Sequence, residues 1–357
     1  MSVFTNVFHR TRTRSVILID ISADSVAGAY AHYKDGELPT LLYTRRFPIE
    51  IRKDEPHERA MLRALEILGT TLIREGSPAL ARAIGHGNAD SILVSIDAPW
   101  QQTSIRNERF ERGTPFVFTR SMITAALEKT SVAAPGKFLA DETIIGTILN
   151  GYEMRDPYGK KVHRAEIIVL ASFIDEQVAI AIATLLQKIY HAPRMRLIAG
   201  SSLRYQAMLK VFPHERDALI FDAAESLTSI ALIRKGLMIG VVEVPDRYTH
   251  ESWVENIGSQ LSELAQHYPL PRTIFLLARE SETASLRERL NGAHLGKFWL
   301  SNNSPKIVAV LASHIAALIR QVTAAPPDLQ LLLMVLFEQD RSVEEQLDTH
   351  RASTLVT

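Results

Sequence analysis

Residues 218–236 read ALIFDAAESLTSIALIRKG. The run ALIF is short, apolar and rich in strand-forming residues, so it reads as a buried strand. It ends in Asp222, crosses a short polar turn, and resumes as a second apolar run before Lys235-Gly236 turns the chain towards a third. A hairpin of this outline cradles phosphate when glycines let backbone N–H groups approach the oxygens. Here Asp222 is followed by Ala223, Ala224 and Glu225, so side chains stand where the close approach would be made.

The same plan occurs about 200 residues earlier, in SVILIDISADSVAGAYAHYKDGELPTLLYTRRFP from Ser15. Again an apolar strand ends in an Asp (Asp20), a polar turn follows, and a charged residue and glycine separate a second strand from a third. Two such meanders in one chain point to a duplicated fold. Between them, HERAMLRALEILGTTLIREG (57–76) has helical spacing, with Met61, Leu62, Leu65 and Leu68 on one broad face. SILVSID (91–97) returns as a buried strand.

Residues 98–174 change rhythm to strand, helix, strand, strand, the order of a small α/β module inserted into a larger fold. DEQVAIAIATLLQKIYHA (175–192) is an amphipathic helix with Asp175 as N-cap. Met195 to Ala199 is a strand, and SSLRYQAMLKVF a helix capped by Ser201 or Ser202. After the second meander, ESWVENIGSQLSELAQHY reads as a helix, RTIFLLA (272–278) as a strand, SETASLRERL as a helix, and SPKIVAVLASHIAALIRQV (304–322) as a further long helix. The predicted division is a tail at 1–14, a first lobe at 15–97, the inserted module at 98–174, a second lobe at 175–340 and a disordered tail at 341–357.

A duplicated strand-Asp-turn-strand unit with helices between resembles the actin/Hsp70/hexokinase ATPase fold. Within it, the chain is similar to the cell-division protein FtsA and the type IV pilus assembly protein PilM. DISADSV (20–26) resembles the first phosphate loop of PilM-type proteins, and the start, Val3-Phe4 and Val7-Phe8 followed by basic residues, resembles theirs. ILNGYEMRDPYGKKVHRAEI (148–167) resembles part of the extra domain of FtsA. The resemblance implies an actin-like α/β fold with two related lobes and places Asp20, Ser22, Ser25 and Asp222 around a vestigial nucleotide site. Asp20 and Asp222 would stand where the fold puts its Mg²⁺-water carboxylates. Each Asp is equally at home ending a strand and bonding a turn.

The departures from the family pattern bear on function. Ala27 replaces a lysine after Ser25-Val26. Pro245 leads into Asp246-Arg247 in place of a glycine pair, and Ala278-Arg279-Glu280 follows the IFLL strand where the adenosine-side glycines belong. Glu225 and Glu280 would repel a polyanion. Only residues 246–271 remain for the subdomain that roofs the adenine, enough for one helix. The expected function is therefore a non-catalytic scaffold of a membrane-associated machine, PilM-like in a pilus or secretion platform or FtsA-like in division. The rival is an ATP-binding, weakly hydrolysing ATPase using ATP and Mg²⁺. The resemblance implies as partner the cytoplasmic tail of a membrane protein or another scaffold subunit, with self-association as a further route.

Composition sets outer bounds. The 357 residues carry 40 basic and 40 acidic side chains and no cysteine, which argues against nucleic acid as a partner and excludes disulfides and thiolate chemistry. Histidines such as His9, His32, His57 and His86 are scattered, and no metal site is expected. No apolar run reaches the ~20 residues of a membrane span, so the expected location is the cytoplasm, peripheral to the inner face of the membrane. The start of the chain is either a solvated tail or a segment lying in the membrane interface. LQLLLMVLF (329–337) is expected to pack on the core of the second lobe, with partner binding as the alternative.

Overall fold

The computed structural model describes residues 13–131, 135–154, 156–191, 194–223, 227–244, 250–299 and 303–339. β1 (Thr13–Ile21), β2 (Ser25–Lys34) and β3 (Thr40–Pro48) form the first meander. α1 (His57–Thr71) passes through a π-helical turn, Leu72–Gly76, into α2 (Ser77–Ile84), and β4 (Ser91–Ile96) follows. Next come β5 (Gln101–Val117), α3 (Arg120–Ser131), β6 (Lys137–Leu149), the short β7 (Tyr152–Glu153) and β8 (Lys161–Asp175). The chain continues as α4 (Glu176–Tyr190), β9 (Met195–Ala199), α5 (Gly200–Val211), β10 (Ala218–Asp222), β11 (Thr228–Arg234) and β12 (Leu237–Val244). α6 (His250–His267), β13 (Thr273–Leu277), α7 (Glu280–Gly292), β14 (Lys306–Val310), α8 (Ala312–Ala316), β15 (Arg320–Gln321) and α9 (329–339) complete it.

Three sheets result. The first runs β15-β3-β2-β1-β4-β9, the second β12-β11-β10-β13-β14, and the third β5-β8-β6-β7. The first two share a plan, since an antiparallel meander is followed in both by two parallel strands. Their registers agree at the two aspartates. Asp20 lies opposite Ala27 on one side and Ser95 on the other, and Asp222 lies opposite Ser229 and Leu277. The duplication read from the sequence is therefore a duplication of topology.

Local chemistry accounts for most elements. Met61, Leu65 and Leu68 of α1 are buried and Leu62 is half-buried at the margin of the face. Asp175 caps α4 by accepting from the N–H groups of Gln177 (3.1 Å) and Val178 (3.4 Å). The Ser201 or Ser202 cap is not used: the α5 N-cap is Ala199, with no side-chain bond. Ser201 Oγ instead lies 2.7 Å from Thr103 Oγ1, and Ser202 Oγ donates to Asp141 at 2.7 Å. Both hydroxyls are drawn away by the third sheet.

The long helix expected over 304–322 is in fact β14, the short α8 and β15. KIVAV is a continuous apolar run that pairs in parallel with β13. Periodicity cannot separate such a strand from a buried helix. Two elements placed with the second lobe on sequence adjoin the first sheet: β9 hydrogen-bonds to β4, and α4 shares an apolar core with α1. Thr13 and Arg14 belong to β1 rather than to a tail. Residues 1–12, including Val3, Phe4, Val7 and Phe8, and the tail 341–357 lie outside the described residues, as do Ala224, Glu225 and Pro245-Asp246-Arg247.

α9 is apolar almost all round, and its neighbours explain why. Its LQLLLMVLF run does not pack on the second lobe alone. It sits in a core that joins Val16, Leu18 and Ala29 of the first sheet to Ala218, Ile220 and Ile233 of the second. A helix buried on every side has no polar face to present. No helix among the described residues is long and apolar enough to cross a membrane. Leu333→Ala, at a fully buried position of α9, should cost about 2–5 kcal/mol. The readout is a lower urea midpoint at unchanged slope.

Candidate functional site

Three carboxylates stand at equivalent strand ends. Asp20 closes β1 one residue short of its end, Asp97 follows β4, and Asp222 ends β10; all are buried. Three converging carboxylates suit a cation, and the cation present is a guanidinium. Arg204, on the first turns of α5, donates to Asp97 through Nη1 (2.9 Å) and Nη2 (2.6 Å), and through Nε to Asp222. The side chains of Arg204, Asp97 and Asp222 are 7%, 3% and 8% exposed, so this ion triplet is screened from water. Gly200 makes room for it: a Cβ there would lie 2.1 Å from Asp97 Oδ1 and 2.8 Å from Arg204 Nη1.

A second arginine, Arg46 on β3, joins the network. It grips Asp328, just ahead of α9, through Nε (2.7 Å) and Nη2 (3.0 Å). The same guanidinium donates to Ser25 Oγ (2.8 Å) and to Asp20 Oδ2 (3.0 Å). Ser22 and Ser25 complete the loop, their hydroxyls 2.9 Å apart, with Ser22 Oγ also donating to Ser25 C=O. The four residues expected at the site, Asp20, Ser22, Ser25 and Asp222, are thus brought into one cleft. Their polar groups are turned on the protein's own arginines and on each other. Asp20 Oδ1 is the exception, buried with no hydrogen-bond partner.

Electrostatics follow from the census of four aspartates and two arginines. Burial pushes the Asp20 carboxyl up to about 6, against the attraction of Arg46 and with repulsion from Asp97. Burial also raises Asp97, opposed by Arg204. For Arg204, burial acts to lower the pKa, yet Asp222 and Asp97 hold it well above its ordinary value. Arg204 therefore stays charged, and a proton on the raised Asp20 carboxyl relieves part of the excess negative charge.

The mouth of the cleft is also bridged. Arg279, at the N-cap of α7 where the adenosine-side glycines were expected, forms an ion pair with Asp24 in the β1–β2 loop. Beside this pair remains a cavity of about 170 Å³, lined by Arg46, Ala278, Arg279, Glu280 and Asp328 among others. Ligand pockets span roughly 300–1,000 Å³. Among the described residues, the arrangement fits Mg²⁺ and a nucleotide poorly: the Arg204 guanidinium occupies the space between Asp97 and Asp222, and this cavity is smaller than a ligand pocket. Arg46, Arg204, Asp97 and Asp328 were not picked out from the sequence. An arginine four residues into a helix that opens on glycine is the one local signal that could have drawn attention to Arg204.

Two outcomes test this network. The folded state holds the Asp20 proton more tightly than the unfolded chain, whose reference value is 3.8. The stability Asp20 contributes is therefore complete below that value and lost as pH rises through about 6. Asp20→Asn, uncharged throughout, should gain on the wild type by on the order of 1–3 kcal/mol between about pH 4 and pH 7. Urea unfolding of both proteins across that range measures it, and a pH-independent difference would refute it. Gly200→Ala, by prising Arg204 from Asp97, should lower stability by roughly 3 kcal/mol, again read from urea midpoints.

No family model and no curated protein sequence matches this chain. Among solved structures it is similar to the PilM–PilN type IV pilus biogenesis complex, at a TM-score of 0.57 and 11% identity, covering 91% of this chain and 98% of that one. It is also similar to a Bacteroides thetaiotaomicron protein with an actin-like ATPase fold and unknown function (TM-score 0.45, 10% identity, 90% and 95% covered). A third likeness is to the cytoplasmic domain of EpsL, an inner membrane component of the Vibrio cholerae type II secretion system (TM-score 0.39, 9% identity, 91% and 94% covered). The latter two are too distant to carry an argument. At 11% identity the first shows a shared fold and no more. Joined to the duplicated sheets with an aspartate at each equivalent strand end, it identifies the architecture: the chain has the actin-like ATPase fold.

Proposed function

We propose that this protein is a non-catalytic actin-like scaffold of a membrane-associated machine, in the manner of PilM in a pilus or secretion platform, and that it acts by protein–protein contact. The observation that carries the reading is Arg204 seated between Asp97 and Asp222. Its charge does inside the fold what a bound cation would otherwise do, so the two lobes are tied together without a ligand. Two finer features support it. Between β12 and β13 the described chain has a single helix, α6, which leaves little to roof an adenine. The third sheet, with α3 packed on it, reads as an inserted interaction module comparable with the extra domain of FtsA. The partner in this reading is the cytoplasmic tail of a membrane protein or another scaffold subunit at the membrane's inner face.

Thermal unfolding with and without millimolar Mg-ATP tests the reading. A ligand at 100 times its dissociation constant stabilises by about 2.7 kcal/mol, whereas this protein should show no shift. A saturable shift abolished by Asp222→Ala would establish a nucleotide-binding protein instead.

A further inference from the structure

The edge of the first sheet holds a second feature that shares only its own residues, none of them lining the cavity in the cleft. β15 pairs with β3 at Thr40 and Leu41 alone, through Arg320 N–H to Pro39 C=O and Val322 N–H to Leu41 C=O, both 2.9 Å. β3 continues to Pro48, and beyond Leu41 it has no strand neighbour on that side among the described residues. At about 3.3 Å per residue the open edge is roughly 20 Å long. Between this edge, α2 and the chain at 322–325 lies a groove of about 960 Å³.

Its charge is net positive, with Lys34, Arg45, Arg82 and Arg320 against Glu37 and Glu75. Glu37 and Glu75, the groove's acidic residues, are already engaged: Glu37 pairs with Lys34, and Glu75 pairs with Arg74 and accepts from Tyr43 Oη at 2.6 Å. Arg45, Arg82 and Arg320 also line the groove, all exposed, and none forms an ion pair among the described residues. An open strand edge offers backbone donors and acceptors to an incoming strand. Cations along the same wall repel basic segments and favour acidic ones. We propose that this groove binds an extended, acidic segment of a partner protein, which adds to β3 as a strand where β15 leaves off. The proposal does not rest on the reading of the cleft, since the groove would take such a segment whether or not a nucleotide binds elsewhere.

The full chain can be titrated against a short fluorescein-labelled peptide that alternates Val or Thr with Glu. Two controls accompany it: the same peptide with Lys for Glu, and the acidic peptide with alternate backbone amides N-methylated. Fluorescence polarisation should show saturable binding of the acidic peptide, weaker by about tenfold or more for the Lys peptide and lost for the N-methylated one. Replacing the exposed pair Arg45→Ala and Arg82→Ala should weaken the acidic peptide by about tenfold as well. No binding of the acidic peptide, equal binding of the N-methylated peptide, or undiminished binding to the double variant would each overturn the proposal.

Discussion

The structure turns on one buried guanidinium. Arg204 reaches Asp97 beside the first sheet and Asp222 at the end of β10 in the second, so a single side chain spans the two halves of the duplicated fold. Its planar fork suits this task, because one arginine can serve two carboxylates with directed hydrogen bonds where a lysine would offer a point charge. Desolvating such a group is costly unless every charge is matched. That requirement reaches outward: Gly200 must lack a Cβ, and Asp20 is pushed towards protonation by the same burial.

α9 is held by the same kind of contact. Asp328 meets Arg46 at one end, and Glu338 at the other is bound by Arg14 and Arg196. Lys210 donates to the C=O groups of Leu336 (2.9 Å) and Phe337 (3.2 Å), satisfying carbonyls that a helix C-terminus leaves open and complementing its dipole. The helix supplies apolar surface to both sheets while arginines from the first lobe fix its ends. The cleft network and the interlobe core are thereby joined through Asp328, which bonds Arg46 and accepts from Leu331 N–H at 3.2 Å.

Legibility of the sequence followed the range of the interaction. The meanders at 15–48 and 218–244 were readable because strands, turns and their terminal aspartates are local patterns, and repetition doubled the signal. Asp175 was readable as a cap because its partners lie two and three residues away. KIVAV was misread because a buried parallel strand and a buried helix present the same apolar run. The LQLLLMVLF run was rightly read as buried, but its second neighbour, the first sheet, lies about 300 residues away in sequence. Arg46 carried no sequence signal and Arg204 only its place near a helix-opening glycine, since each meets its carboxylates across separations such as the 107 residues between Arg204 and Asp97.

The amino-acid sequence alone determined the duplicated strand plan, the loss of glycine after Asp222, and the confinement of 246–271 to one helix. All three are set by residue type and spacing along the chain. Tertiary structure alone decided what fills the cleft. Side chains from β3, α5 and the approach to α9 converge there only after the sheets have paired, and a low-dielectric interior then obliges each buried charge to find its partner.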